Sequence, residues 1–389
     1  MKVLKNKKGL IKSILSIVVF ICFTLLFDLN ISAAESVGGE ELFSEFSQIV
    51  EDLNGEIKDK LPNDIDMDGA SLGEGVSKLT QAPYIFGVLQ EVLGTELSSS
   101  LKLLMSLITF LGIAGIFGAL KNSFGESAMP SAVKFCTVSV TMAIIMKAQY
   151  GCFVRVSEYF EQLNIIMLGM IPITGAAWAM GGNVSTASVG TATMYSFLNI
   201  SQLVFGKTIL PIAAIGTCLA FCGGITSGNG IKRVATFIKK TYLFLIGTIM
   251  AIFGAILTTQ TTLTAAADST AARTAKFISS TVIPIVGGGV GDSLRTVATG
   301  VQYIKSVLGV GGILLIFLTV LPVITEIILM RMVLLLSSGI AELFGCGDIG
   351  GILNELAEVY SVVLAAVAVT CVMFILAFYI FIRTAVAIM

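Results

Sequence analysis

The stretch Ala265-Ala266-Ala267-Asp268-Ser269-Thr270-Ala271-Ala272-Arg273-Thr274-Ala275-Lys276-Phe277, followed by Ile283-Pro284-Ile285-Val286-Gly287-Gly288-Gly289-Val290-Gly291-Asp292-Ser293, decides how the chain is read. It places Asp268, Arg273, Lys276 and Asp292, with Arg295 just beyond, around a short apolar core. Only about fifteen uncharged residues separate Lys276 from Asp292, fewer than the roughly 20 that a helix needs to cross a bilayer. Pro284 and the glycines interrupt it further. Such a stretch predicts a re-entrant or broken helix held inside a membrane bundle.

The rest of the chain supplies that bundle. Hydrophobic residues make up 55% and charged residues 13%, against about a quarter charged in a soluble domain. The sequence therefore predicts an all-α, polytopic helical bundle of about seven to eight spans plus broken segments, with a small exported helical segment at its N-terminal end. Its parts are a signal peptide over 1–34, an acidic exported segment over 35–100 and a multi-span membrane domain over 101–389. Lys2, Lys5, Lys7, Lys8 and Lys12 precede an apolar run from Ile14 to Phe27, and Ser32-Ala33-Ala34 supplies the small residues of a cleavage site. An uncleaved anchor is the alternative, and either form exports the acidic segment behind it.

From Glu35 to Ser100 the chain carries about fourteen acidic residues and only Lys58, Lys60 and Lys78 as bases. That balance argues against nucleic acid and suits a segment facing away from the cytoplasm. Phe43, Phe46, Val50, Leu53 and Ile57 recur at helical spacing and form one apolar face, which must pack on a neighbouring helix, the membrane or a partner protein. Asp64-x-Asp66-x-Asp68-Gly69 imitates the start of a calcium loop, but position twelve is Gly75 where a bidentate glutamate is needed, so a solvated acidic loop is the better reading.

The chain contains no histidine, which excludes a Ser-His-Asp triad, a zinc-protease helix and histidine proton relays. The cysteines form no C-x-x-C pair, and no phosphate-binding G-x-x-x-x-G-K-[ST] loop occurs. These patterns predict a protein without enzymatic activity, cofactor or metal.

Charge boundaries divide the membrane domain. Leu103–Leu120 and Phe135–Val154 read as spans, and the second contains Lys147. The uncharged run Gln162–Gly206 fits two helices broken at Gly181-Gly182-Asn183. Thr208–Ile231 follows, then a basic amphipathic connector with Lys232, Arg233, Lys239 and Lys240, which the positive-inside rule places in the cytoplasm. Five crossings from an exported start end on the same side. Beyond Thr241–Thr261 and the opening stretch lie Ser306–Thr325, Glu326, Arg331, a turn from Phe344 to Gly351, and a last span from Val359 to Ile382. Glu326 and Arg331 lie five residues apart, about 140° around a helix, so they point to different neighbours. Ile171-Pro172-Ile173-Thr174-Gly175 echoes Ile283-Pro284-Ile285-Val286-Gly287, which raises an internal repeat with broken helices at equivalent places. The candidate polar path or structural residues are Asp268, Arg273, Lys276, Pro284, Asp292, Glu326 and Arg331; the candidate partner-binding face is Phe43, Phe46, Val50, Leu53 and Ile57.

Ala266-Ala267-Asp268, Arg273-Thr274-Ala275-Lys276-Phe277, Pro284-x-Val286-Gly287-Gly288 and Asp292-Ser293 also carry a likeness. With the order of parts around them, they make the chain resemble the stage III sporulation protein AE family of endospore-forming bacteria. The resemblance implies a permease-like component of a transenvelope channel or feeding complex in the mother-cell membrane around the forespore. It further implies partnership with the other stage III A proteins and, indirectly, stage II sporulation protein Q, with the N-terminal segment in the intermembrane space. The lipid bilayer is the other expected partner, and homo-oligomerisation is left open. The alternatives are a scaffold that recruits partners through its exported helices and a stand-alone small-molecule transporter.

Overall fold

The computed structural model describes residues 40–53, 55–58, 72–121, 129–226, 229–282, 287–384 and 386. The signal peptide and the Asp64–Gly69 loop lie outside these residues. Helices α1 (Glu40–Asp52), α2 (Gly55–Lys58) and α3 (Leu72–Leu79) precede a bundle of long rods. These are α4 (Ala82–Lys121), α5 (Met129–Met180), a continuous rod containing α6 (Thr191–Ser201) and α7 (Lys207–Thr226), α8 (Asn229–Val282), α9 (Gly287–Leu343) and α10 (Gly347–Arg383). Single π-helical turns, Thr186–Gly190 and Gln202–Gly206, flank α6 without breaking its rod.

The all-α polytopic bundle is the architecture the sequence predicts, with a different division into rods. Six helices among the described residues are long and apolar enough to cross a membrane, where charge boundaries predict seven or eight spans. The difference arises because the helices run straight through the charges. Arg155, Glu158 and Glu161 sit within α5, which carries the expected second span and the first half of the Gln162–Gly206 run as one helix of 52 residues. The supposed connector Ile231–Lys240 is the start of α8, which continues unbroken for 54 residues. Glu326 and Arg331 likewise lie inside the 57-residue α9. Pro172, Pro211 and Pro322 are all accommodated within continuous helices, so Pro172 marks no break. Proline removes one backbone donor, a cost that neighbouring helices can absorb in a bundle.

The opening stretch is reinterpreted on the same grounds. It is not a short re-entrant helix: its first half is the last part of α8 and its second half the start of α9. Residues 283–286 between them, which include Pro284, lie outside the described residues.

Two expected turns are present and share one mechanism. At Gly181-Gly182-Asn183, Gly182 adopts φ 77°, and the Asn183 N–H donates to the Trp178 carbonyl at 3.0 Å. At Phe344-Gly345-Cys346, Gly345 adopts φ 74°, and the Cys346 N–H donates to the Ala341 carbonyl at 2.8 Å. Both are glycine-terminated helix ends in which a left-handed residue returns the chain to satisfy a last-turn carbonyl. A side chain at either glycine would strain the reversal.

Helices α9 and α10 form the centre. Their span windows are 83% buried, against 22% for α4 and 17% for α8, which lie at the periphery. Glycines permit the close central packing: a Cβ on Gly309 would lie 2.3 Å from Ile382 Cγ1. Trp178 meets Phe381 edge-on with centroids 5.5 Å apart. Successive rods alternate in direction. One end gathers the turn after α9 with the starts of α5 and α8, where Lys134 pairs with Asp348 and Lys239 with Glu355, each at 2.9 Å. This is the basic end. The far end gathers the end of α5, the start of α9 and the end of α10, where Met180, Ala298, Val301 and Val386 pack together.

The α1 face is already occupied by the chain itself. Phe43, Phe46, Val50, Leu53 and Ile57 are all buried, with α1 lying along α5. Glycines bring it close: a Cβ on Gly169 would stand 2.3 Å from Ile49 Cγ1, and one on Gly311 2.8 Å from Phe46 Cζ. The apolar face that the sequence offers to a partner is therefore closed by α5 and α9, because the bundle supplies the surface that an isolated amphipathic helix lacks. Its acidic side, Glu40, Glu41, Glu45, Glu51 and Asp52, stays exposed.

Candidate functional site

Helices α4, α5 and α9 each place one charged residue at the same level of the bundle. The Arg155 Nη1 donates to Glu96 Oε1, and its Nε lies 3.7 Å from Glu326 Oε2. The side chains of Glu96 and Glu326 are 6% and 13% exposed, while that of Arg155 is 37% exposed. One guanidinium thus bridges two carboxylates from different helices. Its planar fork suits this role better than the single ammonium of a lysine.

The surroundings continue the polar layer. Gln149 Nε2 donates to Thr217 Oγ1 at 2.8 Å, joining α5 to α7, and Thr217 donates onward to the Ala213 carbonyl. The Cys152 side chain is fully buried one turn from Arg155. Tyr360 of α10 is equally buried and its ring centroid lies 6.0 Å from that of Phe153. A buried charged group is costly unless partnered, so this cluster fixes the relative height of three helices. Ionisable groups inside a membrane bundle are also where coupling or transport function concentrates.

The sequence points to Glu326 but not to its partners. It places Glu96 within the acidic exported segment and Arg155 just beyond the Phe135–Val154 span. Nothing in the local pattern of α4 marks Glu96, since its partner lies 59 residues away. The remaining candidates fall elsewhere. Asp268, Arg273 and Lys276 are on the last part of α8, Asp292 is near the start of α9, and Pro284 lies outside the described residues. From Asp292 to Glu326 the helix advances about 51 Å at 1.5 Å per residue. The predicted polar path is therefore two separate groups. Arg331, five residues past Glu326, has a buried Nε that makes no hydrogen bond among the described residues.

At the basic end, a cavity of about 150 Å³ opens between α7, α8 and α10, lined by Gly223, Gly224, Lys232, Asp348, Gly351 and Glu355. It holds both signs of charge and lies far from the Arg155 cluster along the rods.

A bundle of long apolar helices, cross-linked at mid-height by buried charges, defines a polytopic helical membrane protein. The chain belongs to the stage III sporulation protein AE family, whose model matches residues 71–385. It is similar to the stage III sporulation protein AE of Bacillus subtilis (strain 168), with 22% identity over 282 residues, covering 72% of this chain and 70% of that protein. No solved structure matches the chain.

Proposed function

We propose that this chain is a non-enzymatic, permease-like membrane component of a transenvelope sporulation complex, needed for forespore development. It sits in the mother-cell membrane around the forespore, with its N-terminal segment in the intermembrane space. Its partners are the other stage III A proteins and, through them, stage II sporulation protein Q. Family membership is the observation that carries this reading. Charge distribution supports the orientation: Lys134, Lys232, Arg233, Lys239 and Lys240 gather at one end, the pattern of a cytoplasmic face. Three crossings by α4, α5 and the α6–α7 rod bring the chain from an exported start to that same end.

The centre of a single chain is filled by α9 and α10, so a solute path runs between chains of an assembly or along α5 and α4. In this reading the Glu96–Arg155–Glu326 cluster holds the rods in register for that assembly. The scaffold alternative loses its simplest surface, because the α1 face is covered within the chain.

A spore-former whose own gene is deleted, complemented with Glu326→Ala, tests the role of the cluster. Spore yield should fall while the protein remains in the membrane at normal abundance. Normal yield at normal abundance rejects the cluster as functional. A fluorescent fusion distributed away from the engulfing membrane rejects the sporulation placement itself.

A further inference from the structure

The rods are too long for the bilayer they must cross. At 1.5 Å per residue, α5 is about 78 Å long and α9 about 85 Å. A helix as long as α5 would need a tilt of about 67° to fit within a 30 Å hydrocarbon core, beyond the 0–40° range of membrane helices. Part of the bundle must therefore stand outside the membrane, and the charges show which part.

We propose that the bilayer embraces only the half of the bundle next to the basic end, and that the other half projects into the aqueous space on the opposite side. Lys134 and its partner Asp348 mark the lower boundary, with Gly115 against Phe344 at the same end. From Lys134 to Arg155 is about 31 Å along α5, and from Phe344 back to Glu326 about 27 Å along α9. On α4, Gly115 to Glu96 is about 28 Å, and Ile225 to Lys207 on the α6–α7 rod is about 27 Å. Four rods thus return to charge after one bilayer thickness.

Within that band the outward side chains are large and apolar. Val140, Phe237, Phe244, Ile116 and Met332 are 45%, 69%, 76%, 64% and 52% exposed. Exposed Lys240 and Glu358 lie in the lower half of the band, and exposed Lys102 and Lys147 lie about 20 Å above the basic end. The stems of Lys102 and Lys147 can lie along the apolar surface while the ammonium groups reach the upper boundary. Exposed Glu158, Glu161 and Lys207 continue that boundary around the bundle.

The far half cannot be in hydrocarbon. Helix α1 docks there, at Gly169 and Gly311, and Gly169 lies about 21 Å above Arg155 on α5. Five exposed carboxylates on α1 would then be buried in lipid without partners, each costing several kcal/mol. On the outer side of the membrane they are simply hydrated. The same placement explains why α1 docks at all: outside the bilayer, burying Phe43 and Phe46 removes apolar surface from water, a force absent within lipid.

The placement stands on geometry and charge and does not depend on the sporulation role. The test uses the full chain in nanodiscs of phosphatidylethanolamine and phosphatidylglycerol. Single nitroxide labels are introduced by Val140→Cys, Phe244→Cys, Leu168→Cys and Ser188→Cys in a background whose native cysteines are alanine. Labels at 140 and 244 should relax with oxygen and not with a water-soluble nickel chelate. Labels at 168 and 188 should show the reverse, and low accessibility to both reagents there also keeps them out of lipid. A lipid pattern at 168 or 188, or a water or buried pattern at 140 or 244, overturns the proposal. Electron cryomicroscopy of the unaltered chain in the same discs provides the second measurement. Density should project from one face only, by about 35–40 Å along the 25 residues of α5 above Arg155 and by up to about 58 Å along the part of α9 before Glu326. Equal overhang on both faces overturns it.

Discussion

Replacing Arg155 with methionine removes one cation and leaves two carboxylates, Glu96 and Glu326, facing each other across α4 and α9. Both side chains are nearly buried, at 6% and 13% exposure. Breaking a fully buried ion pair costs about 3–5 kcal/mol, chiefly because the remaining charge loses its partner. Arg155 is itself about a third exposed, so water already screens part of the interaction. A loss of about 2–3 kcal/mol is the expected size, which appears as a fall in Tm of several degrees. The decisive comparison is the triple variant R155M/E96Q/E326Q. It removes every charge while keeping the volume of the cluster, and should recover most of the lost stability. Thermal unfolding of purified protein, followed by loss of the monodisperse peak on heating, reads both values. If R155M melts with the parent, or the triple variant melts with R155M, uncompensated charge is not what the cluster controls. Spore yield from the triple variant then separates structure from function. A stable triple variant that fails to support sporulation shows that the charges themselves are used.

Other perturbations address the remaining contacts. Phe46→Ala empties a side-chain site that is 2% exposed against Gly311, at a cost of about 3–5 kcal/mol for a core aromatic. Helix α1 should undock, seen as faster limited proteolysis near residue 53 with the bundle intact, and unchanged cleavage would argue against the docking. Lys305 is fully buried, donates to the Thr384 carbonyl and lies 5.9 Å from the Phe381 ring centroid, while Gln302 donates to the Ile382 carbonyl at 3.2 Å. Lys305→Ala should fray the end of α10, with faster hydrogen exchange over residues 380–384, and exchange identical to the parent would refute the capping role. Burial pushes the Cys346 thiol above its ordinary range in the turn after α9. Less thiolate forms at a given pH, so alkylation of a Cys346-only variant should be slow at pH 8 and keep accelerating above the midpoint of an ordinary thiol at about 8.5. A rate profile matching free thiol would contradict this.

What the sequence reveals depends on the range of each interaction. Composition fixes the all-α membrane class because every spanning backbone group must be satisfied within its own helix. The two hairpin turns are legible because Gly182 and Gly345 adopt a conformation that other residues resist, a requirement written in one residue each. The apolar face of α1 is legible for the same local reason, since Phe43, Phe46 and Val50 recur within a few turns. Its occupant is not, because Gly169 and Gly311 lie more than a hundred residues away and glycine carries no periodic signal. Span counting goes astray for a related reason. It treats each charge as a membrane boundary, which holds for an isolated helix whose charged groups face lipid or water. Arg155 and Glu326 meet a different condition: each finds an opposite charge on a neighbouring rod, so the helix continues through it. A charge inside a long apolar sequence therefore marks either the edge of the bilayer or a partner across the bundle. At the level of Arg155 both conditions coincide, since the exposed side of its guanidinium reaches the proposed outer boundary while its fork holds Glu96 and Glu326.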